Sequence, residues 1–176
     1  TAQATTVYRL RTLWLSTAYG DIRLKNFIMN IRIANKFSKE LGARIDELLH
    51  LLDSTLPKID AERVESLLAD GAFDLFIAED DNGTIAGMLT LTRCSTLSRS
   101  KFWIEDVIVD PEFRGQGVGR SLVRAAVAHA EAKEERPAVY LTSNPSRVAA
   151  RRLYKSEGFE EYETGVFRKS YQKQDI

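Results

Sequence analysis

The chain has 176 residues, and its 25 Lys plus Arg balance its 25 Asp plus Glu at a formal net charge of +0. That balance counts against a general nucleic-acid binder, which is basic overall. A chain of this length forms one domain that buries roughly 70% of the surface its unfolded form exposes, with no need of a metal or disulfide staple.

The single Cys94 excludes an internal disulfide and fits a reducing, cytoplasmic setting. His50 and His129 read as surface helix residues, so no metal site is expected. No apolar stretch approaches the ~18 residues of a membrane span, and no membrane partner is expected. Residues 1–25 carry Arg9, Arg11, Arg23 and Lys25 against one acid, Asp21. They have the basic, acid-poor character of an organellar leader, but Tyr8, Trp14 and Tyr19 favour an extension packed on the domain or on a second copy, which leaves a homodimer open. The domain proper is read as 26–176.

Ile28 to Ile33 alternates apolar and polar residues, as a half-buried strand does. Phe37, Leu41, Ile45, Leu48, Leu49 and Leu52 recur at helical spacing, with Ser38 or Asn35 as the cap. Asp60 caps a second, short helix carrying Val64, Leu67 and Leu68, and Gly71 ends it. Phe73 to Glu79 and Ile85 to Thr92 read as strands joined by a two-residue Asn82-Gly83 turn. A polar loop, Ser95 to Ser100, leads to the strand Phe102 to Val109, stopped by Asp110-Pro111. A helix to Ala132, a short strand Val139 to Thr142, a helix Pro145 to Glu157 capped by Gly158, and a last strand Tyr162 to Tyr171 complete the order. Pattern alone gives a mixed α/β sheet.

The most informative stretch is Arg114-Gly115-Gln116-Gly117-Val118-Gly119-Arg120, between a strand and a helix. Glycines let backbone approach a ligand, and the free N–H groups of a first helical turn favour an anion. Arg114 and Arg120 add positive charge. A dinucleotide fold requires a third glycine where Arg120 stands, and the G-x-x-x-x-G-K-[ST] pattern of a P-loop is absent. On spacing alone, a tight strand–helix turn is an equal reading.

Trp103 to Arg120, WIEDVIVDPEFRGQGVGR, resembles the acetyl-CoA site of the GNAT superfamily of N-acetyltransferases, whose signature is [R/Q]-x-x-G-x-[G/A]; here Arg114, Gly117 and Gly119 fill it. A second block, Val139 to Ser143 followed by Arg147 to Tyr154 and Gly158-Phe159, resembles that family's later strand, helix and Tyr-x-x-x-Gly-Phe ending. Together the blocks cover about a third of the chain. The resemblance implies an α/β (α+β) fold with a mixed, mostly antiparallel sheet of about six to seven strands and about four flanking helices. It also implies acetyl-CoA as cosubstrate, no metal, and an amine-bearing acceptor. The pantetheine arm would lie along the backbone of Val107, Ile108 and Val109, and the pyrophosphate on N–H groups from Gly115, Gln116, Gly117, Val118, Gly119 and Arg120. Where the family often has an Asn seven residues before the Tyr, contacting the pantetheine, this chain has Arg147; either Arg147 would instead meet a phosphate of the cofactor, or Asn144, three residues earlier, would take the place of that Asn.

Amide formation requires a free amine, since an alkyl ammonium has no lone pair. Glu105 is the candidate base. A strand period of two puts it on one face with Trp103, Val107 and Val109, partly desolvated, and points Asp106 to the other face. Tyr154 is the candidate acid for the departing thiolate, as the resemblance implies; its spacing with Leu153 and Phe159 is equally that of a core aromatic. An acetyl-CoA-binding domain without turnover is the alternative, and it requires neither Glu105 nor Tyr154. The acceptor would be chosen by the first helix, the Ser95 to Ser100 loop and the last strands.

Overall fold

The computed structural model describes residues 8–18 and 21–169, with side chains from Met29 onward. Its strands form one six-stranded sheet in chain order: β1 (Tyr8–Ala18), β2 (Asp21–Ala34), β3 (Phe73–Glu79), β4 (Ile85–Ser95), β5 (Ser100–Val109) and β6 (Ala138–Leu141). All neighbours are antiparallel except β5 and β6. The division expected at residue 25 falls inside β2, because β1 and β2 pair from Tyr8↔Ile31 to Ala18↔Asp21.

The helices cover both faces. α1 (Lys39–Leu52) and α2 (Ala61–Ala69) begin where their caps predict: Ser38 Oγ accepts from Leu41 N at 3.1 Å, and the Asp60 carboxylate from Glu62 N at 3.2 Å. They bury Leu41, Ile45, Leu48 and Val64 against Leu75, Ile77, Met88 and Ile108. On the opposite face, α3 (Val118–Lys133) and α4 (Val148–Ser156) bury Val118, Leu122, Val123, Ala126 and Tyr154 against Ile31, Phe76, Leu89, Leu91, Phe102 and Ile104. Among the described residues no helix is long and apolar enough to cross a membrane.

Several expected details differ. α2 ends on Asp70 in extended conformation, so Gly71 is not its left-handed cap. The β3–β4 turn holds three residues, not two: Asp80 N donates to Thr84 O, Gly83 N donates to Asp80 O, and Gly83 sits at φ 80. The Asp80 carboxylate accepts from Asn82 N and Thr84 N and so fixes the longer form. α4 starts at Val148 rather than Pro145, because Asn144 and Ser146 form a turn of their own. The last strand is not formed over residues 162–169, and the rest of its span lies outside the described residues. Glu161 is held instead by Arg151 and Lys155, and Gly165 interrupts the alternation.

Candidate active site

The site starts from an irregularity in β5. Gly87 pairs with Val109 and Met88 with Ile108, but Thr90 pairs with Glu105. Leu89 therefore stands opposite two residues, Asp106 and Val107, which is a β-bulge. Asp106 takes φ 47, in the left-handed region that L-residues rarely occupy. The extra residue resets the strand period. Trp103 and Glu105 face the α1 side, opposite Thr92 and Thr90. Val107 and Val109 pack into the α3-side cluster, and Ile108 into the α1-side one. The expected common face of Trp103, Glu105, Val107 and Val109 is thus broken at the bulge. The Thr90 hydroxyl lies 3.2 Å from the Asp106 carboxylate, so Asp106 shares the side of Glu105 rather than opposing it.

Two carboxyl groups are thereby brought together at the edge of the sheet. Burial pushes the Glu105 carboxyl above its ordinary range, and the Asp106 charge pushes it further in the same direction. Asp106 is also raised by burial, against the opposing hydrogen bond from Thr90. Tyr154, buried on α4, has its hydroxyl held in the neutral form by burial; Arg147 opposes that shift and the Glu105 charge adds to it. The Glu105 charge is therefore felt at Tyr154 from the opposite face of β5.

The parallel β5–β6 ladder runs only from Lys101↔Ala138 to Ile104↔Leu141. β5 continues to Val109 while the chain after β6 leaves toward α4, so the two strands part. A cleft of ≈ 720 Å³ opens there. Of the residues singled out in the sequence, Val107, Ile108, Val109, Arg114, Gly115, Gly117, Val118, Gly119, Arg120, Arg147 and Tyr154 line it.

A single 3₁₀ turn (Pro111–Phe113), capped by the Asp110 carboxylate, leads into the glycine loop. Gly115 and Gly117 take φ 76 and 83, conformations open to glycine, and a Cβ at Gly115 would project into empty space. α1 and α2 have side-chain caps, whereas α3 starts on Gly117 and has none. Its first N–H groups have no side-chain cap, an arrangement that favours an anion. A Cβ at Gly119 would stand 3.3 Å from Leu153 and 3.5 Å from Val109, so this glycine lets α3, α4 and β5 close together at the cleft wall.

Some expected contributors point elsewhere. Arg120 pairs with Glu157 at 2.8 Å, and Arg114 Nε donates to Val109 O at 3.1 Å. Gln116 Nε2 donates to Glu112 O, so only its backbone is offered to the loop. The Asn144 side chain accepts from Ser146 N at 2.9 Å and from its hydroxyl at 2.8 Å, and it does not line the cleft. Arg147, at the N-cap of α4, does line it. Leu51 and Leu52 from the end of α1, Phe113, and Val148 to Ala150 also line the cleft. None of these was named as a site residue in the sequence, although Leu52 was read on the apolar face of the first helix and Val148 to Ala150 within the Arg147 to Tyr154 block. In the leucine pair the helical period signals only core, and Phe113 lies in a loop with no motif of its own.

The profile of the acetyltransferase (GNAT) family matches residues 45–159. An uncharacterized N-acetyltransferase of Methanocaldococcus jannaschii is 34% identical over 94 residues, which is 51% of this chain and 41% of that protein. This chain spans 35% to 57% of the length of the curated relatives it matches. A putative acetyltransferase from Agrobacterium tumefaciens superposes with a TM-score of 0.69 at 25% identity, over 80% of this chain and 99% of that one. The aminoglycoside N-acetyltransferase AAC(6')-Iy, solved in complex with CoA, superposes with a TM-score of 0.68 at 23% identity, over 83% and 97% of the two chains.

Proposed function

This chain belongs to the acetyltransferase (GNAT) family, and from that premise we propose that it transfers the acetyl group of acetyl-CoA to a primary amine of a small molecule or peptide, directly, with both substrates bound. The observation that carries the reading is the parting of β5 from β6 above an uncapped helix start. An acyl-CoA is a long ligand with a pyrophosphate near one end and an amide-bearing arm at the other. The glycine loop suits the first, and the free edge of Val107 to Val109 suits the second. That the related fold of AAC(6')-Iy was solved with CoA is in keeping with this.

Acetyl-CoA would supply the activated acyl group, and the residues of this chain would manage the protons. Glu105, raised by burial and by Asp106, accepts a proton from the incoming ammonium. The amine then forms the new N–C bond as the C–S bond breaks. Tyr154, kept neutral by burial, gives its proton to the departing sulfur. Backbone N–H groups on the β5 edge near the bulge would stabilise charge on the acyl oxygen.

The test is release of free thiol from acetyl-CoA across a panel of amines, amino-sugar phosphates, aminoglycosides and peptides. Amine-dependent release supports transfer. CoA binding with no release above hydrolysis across the panel would instead favour a binding domain without turnover.

A further inference from the structure

Arg44 lies on α1, outside the cleft, yet its guanidinium joins three parts of the fold. Nε and Nη2 donate to Ile85 O at 3.0 and 2.9 Å, at the start of β4. Nη2 also donates to Asp110 Oδ2 at 2.5 Å, and Nη1 to Glu47 on the same helix at 2.8 Å. Asp110 is the hinge between β5 and the glycine loop. Its other carboxylate oxygen caps the 3₁₀ turn at Glu112 N, 2.9 Å away, and its own N–H donates to Ala86 O at 2.9 Å. The Arg44 and Asp110 side chains are only 24% and 15% exposed, so solvent screens this pair less than a surface pair. About two turns further along, the same helix supplies Leu51 and Leu52 to the cleft wall.

We propose that Arg44 is a positioning residue for the cofactor loop: through Asp110 it fixes the 3₁₀ turn and the Gly115–Gly119 segment against α1, so that the wall bearing Leu51 and Leu52 and the anion-binding turn hold one fixed spacing. Arg44 touches neither substrate in this arrangement. Without its fork, Asp110 keeps its backbone bond and its cap on Glu112 N but loses the tie of its other carboxylate oxygen to α1, and the loop samples orientations in which its N–H groups no longer converge. The part of the inference that concerns CoA rests on the function proposed above; the part that concerns loop order does not.

The experiment compares the parent with Arg44→Gln, Arg44→Lys, Asp110→Asn and the Arg44→Gln/Asp110→Asn double variant. Amide hydrogen exchange without ligand is the first readout. Amides at residues 112–117 should exchange at least tenfold faster in Arg44→Gln, while those of residues 122–130 in α3 stay as in the parent. CoA titration is the second. Arg44→Gln and Asp110→Asn should each weaken binding about tenfold, the double variant should lose little more than either, and Arg44→Lys, which keeps the charge but not the fork, should fall between. Loop exchange at the parent rate in a folded Arg44→Gln protein, or losses of CoA affinity that add in the double variant, would overturn the proposal. If Arg44→Gln does not fold, Arg44→Lys and Asp110→Asn carry the same two readouts. A parent that does not bind CoA defeats the proposed function and leaves the exchange comparison to decide the clamp.

Discussion

Thr90 reaches across the break in the β4–β5 ladder and holds Asp106 by a 3.2 Å hydrogen bond, at the one point in β5 where the backbone is left-handed. That contact fixes the bulge, and the bulge sets Glu105 on one face and Val107 on the other. Replacing Asp106 by Asn should preserve the turn, since Asn tolerates this conformation and its amide oxygen can accept from Thr90. The negative charge beside Glu105 would be gone. The acid limb of the pH–rate profile should then move to lower pH, because that charge is one of the two causes raising Glu105. Asp106→Val, by contrast, should lose about 1–2 kcal/mol of stability to a strained backbone, read as a lower melting temperature. An unmoved acid limb in Asp106→Asn would mean that the limb does not report Glu105.

Glu105→Gln keeps size and strand but removes the proton acceptor. A base works ionised, so the parent rate should rise with pH through an apparent pKa above that of a free Glu. The variant should be slower by about 10²-fold near neutral pH and recover in part at high pH, where free amine is already abundant. CoA affinity should hold. Matching profiles in thiol-release assays would make Glu105 structural and leave deprotonation to water or to Asp106.

The helices and the glycine loop were legible because their signals are local: a cap residue, an apolar period, a glycine that admits positive φ. Ser38, Asp60 and Gly117 all act within a few residues of themselves. The bulge was not legible, since nothing in Glu-Asp-Val marks an extra residue; it appears only when β4 is laid beside β5. The same holds for Arg120, whose partner Glu157 lies far along the chain, and for the wall contributed by Leu51 and Leu52. Asn144 was ambiguous because a short amide side chain suits a turn as well as a ligand, and here it accepts from Ser146.

Gly117→Asp puts a side chain and a negative charge at the left-handed start of α3. In the parent, CoA at a hundredfold excess over Kd should add about 2.7 kcal/mol of stability, or roughly 5–10 °C in melting temperature. The variant should remain folded and show almost no shift. A full shift in thermal melts would remove this loop from the cofactor site.

Asp74, at the start of β3, accepts from His129 at 3.0 Å and from Lys133 at 2.9 Å, both on α3. His129 is therefore not the plain surface residue its helix position suggests; its ring also meets Phe76 edge-on. Burial alone would raise the Asp74 carboxyl, but the hydrogen bonds and electrostatic contacts with His129 and Lys133 prevail and hold it below its ordinary range. A depressed carboxylate contributes stability that is present above its unfolded pKa of about 3.9 and is lost as pH falls through the folded value. Asp74→Asn should cost about 1–2 kcal/mol near pH 7, and the gap to the parent should close as pH falls through the lowered value of the folded Asp74 carboxyl. Denaturant melts at several pH values measure it, and a gap that stays constant with pH would assign the loss to packing.

Tyr154→Phe removes one oxygen from a buried ring that packs with Phe159, so the core should keep its shape. As the proposed acid, the hydroxyl must be protonated when the thiolate departs, and burial together with the Glu105 charge holds it so despite the opposing pull of Arg147. The variant should bind CoA as the parent does, because the glycine loop and the β5 edge are untouched. Turnover should fall by about 10²–10⁴-fold. A thioester with a more acidic thiol needs less help in departing, so the deficit should shrink with an activated acyl donor. Equal turnover of acetyl-CoA by the two proteins would return Tyr154 to the core, whereas a deficit indifferent to the leaving group would point to acceptor placement instead of proton transfer.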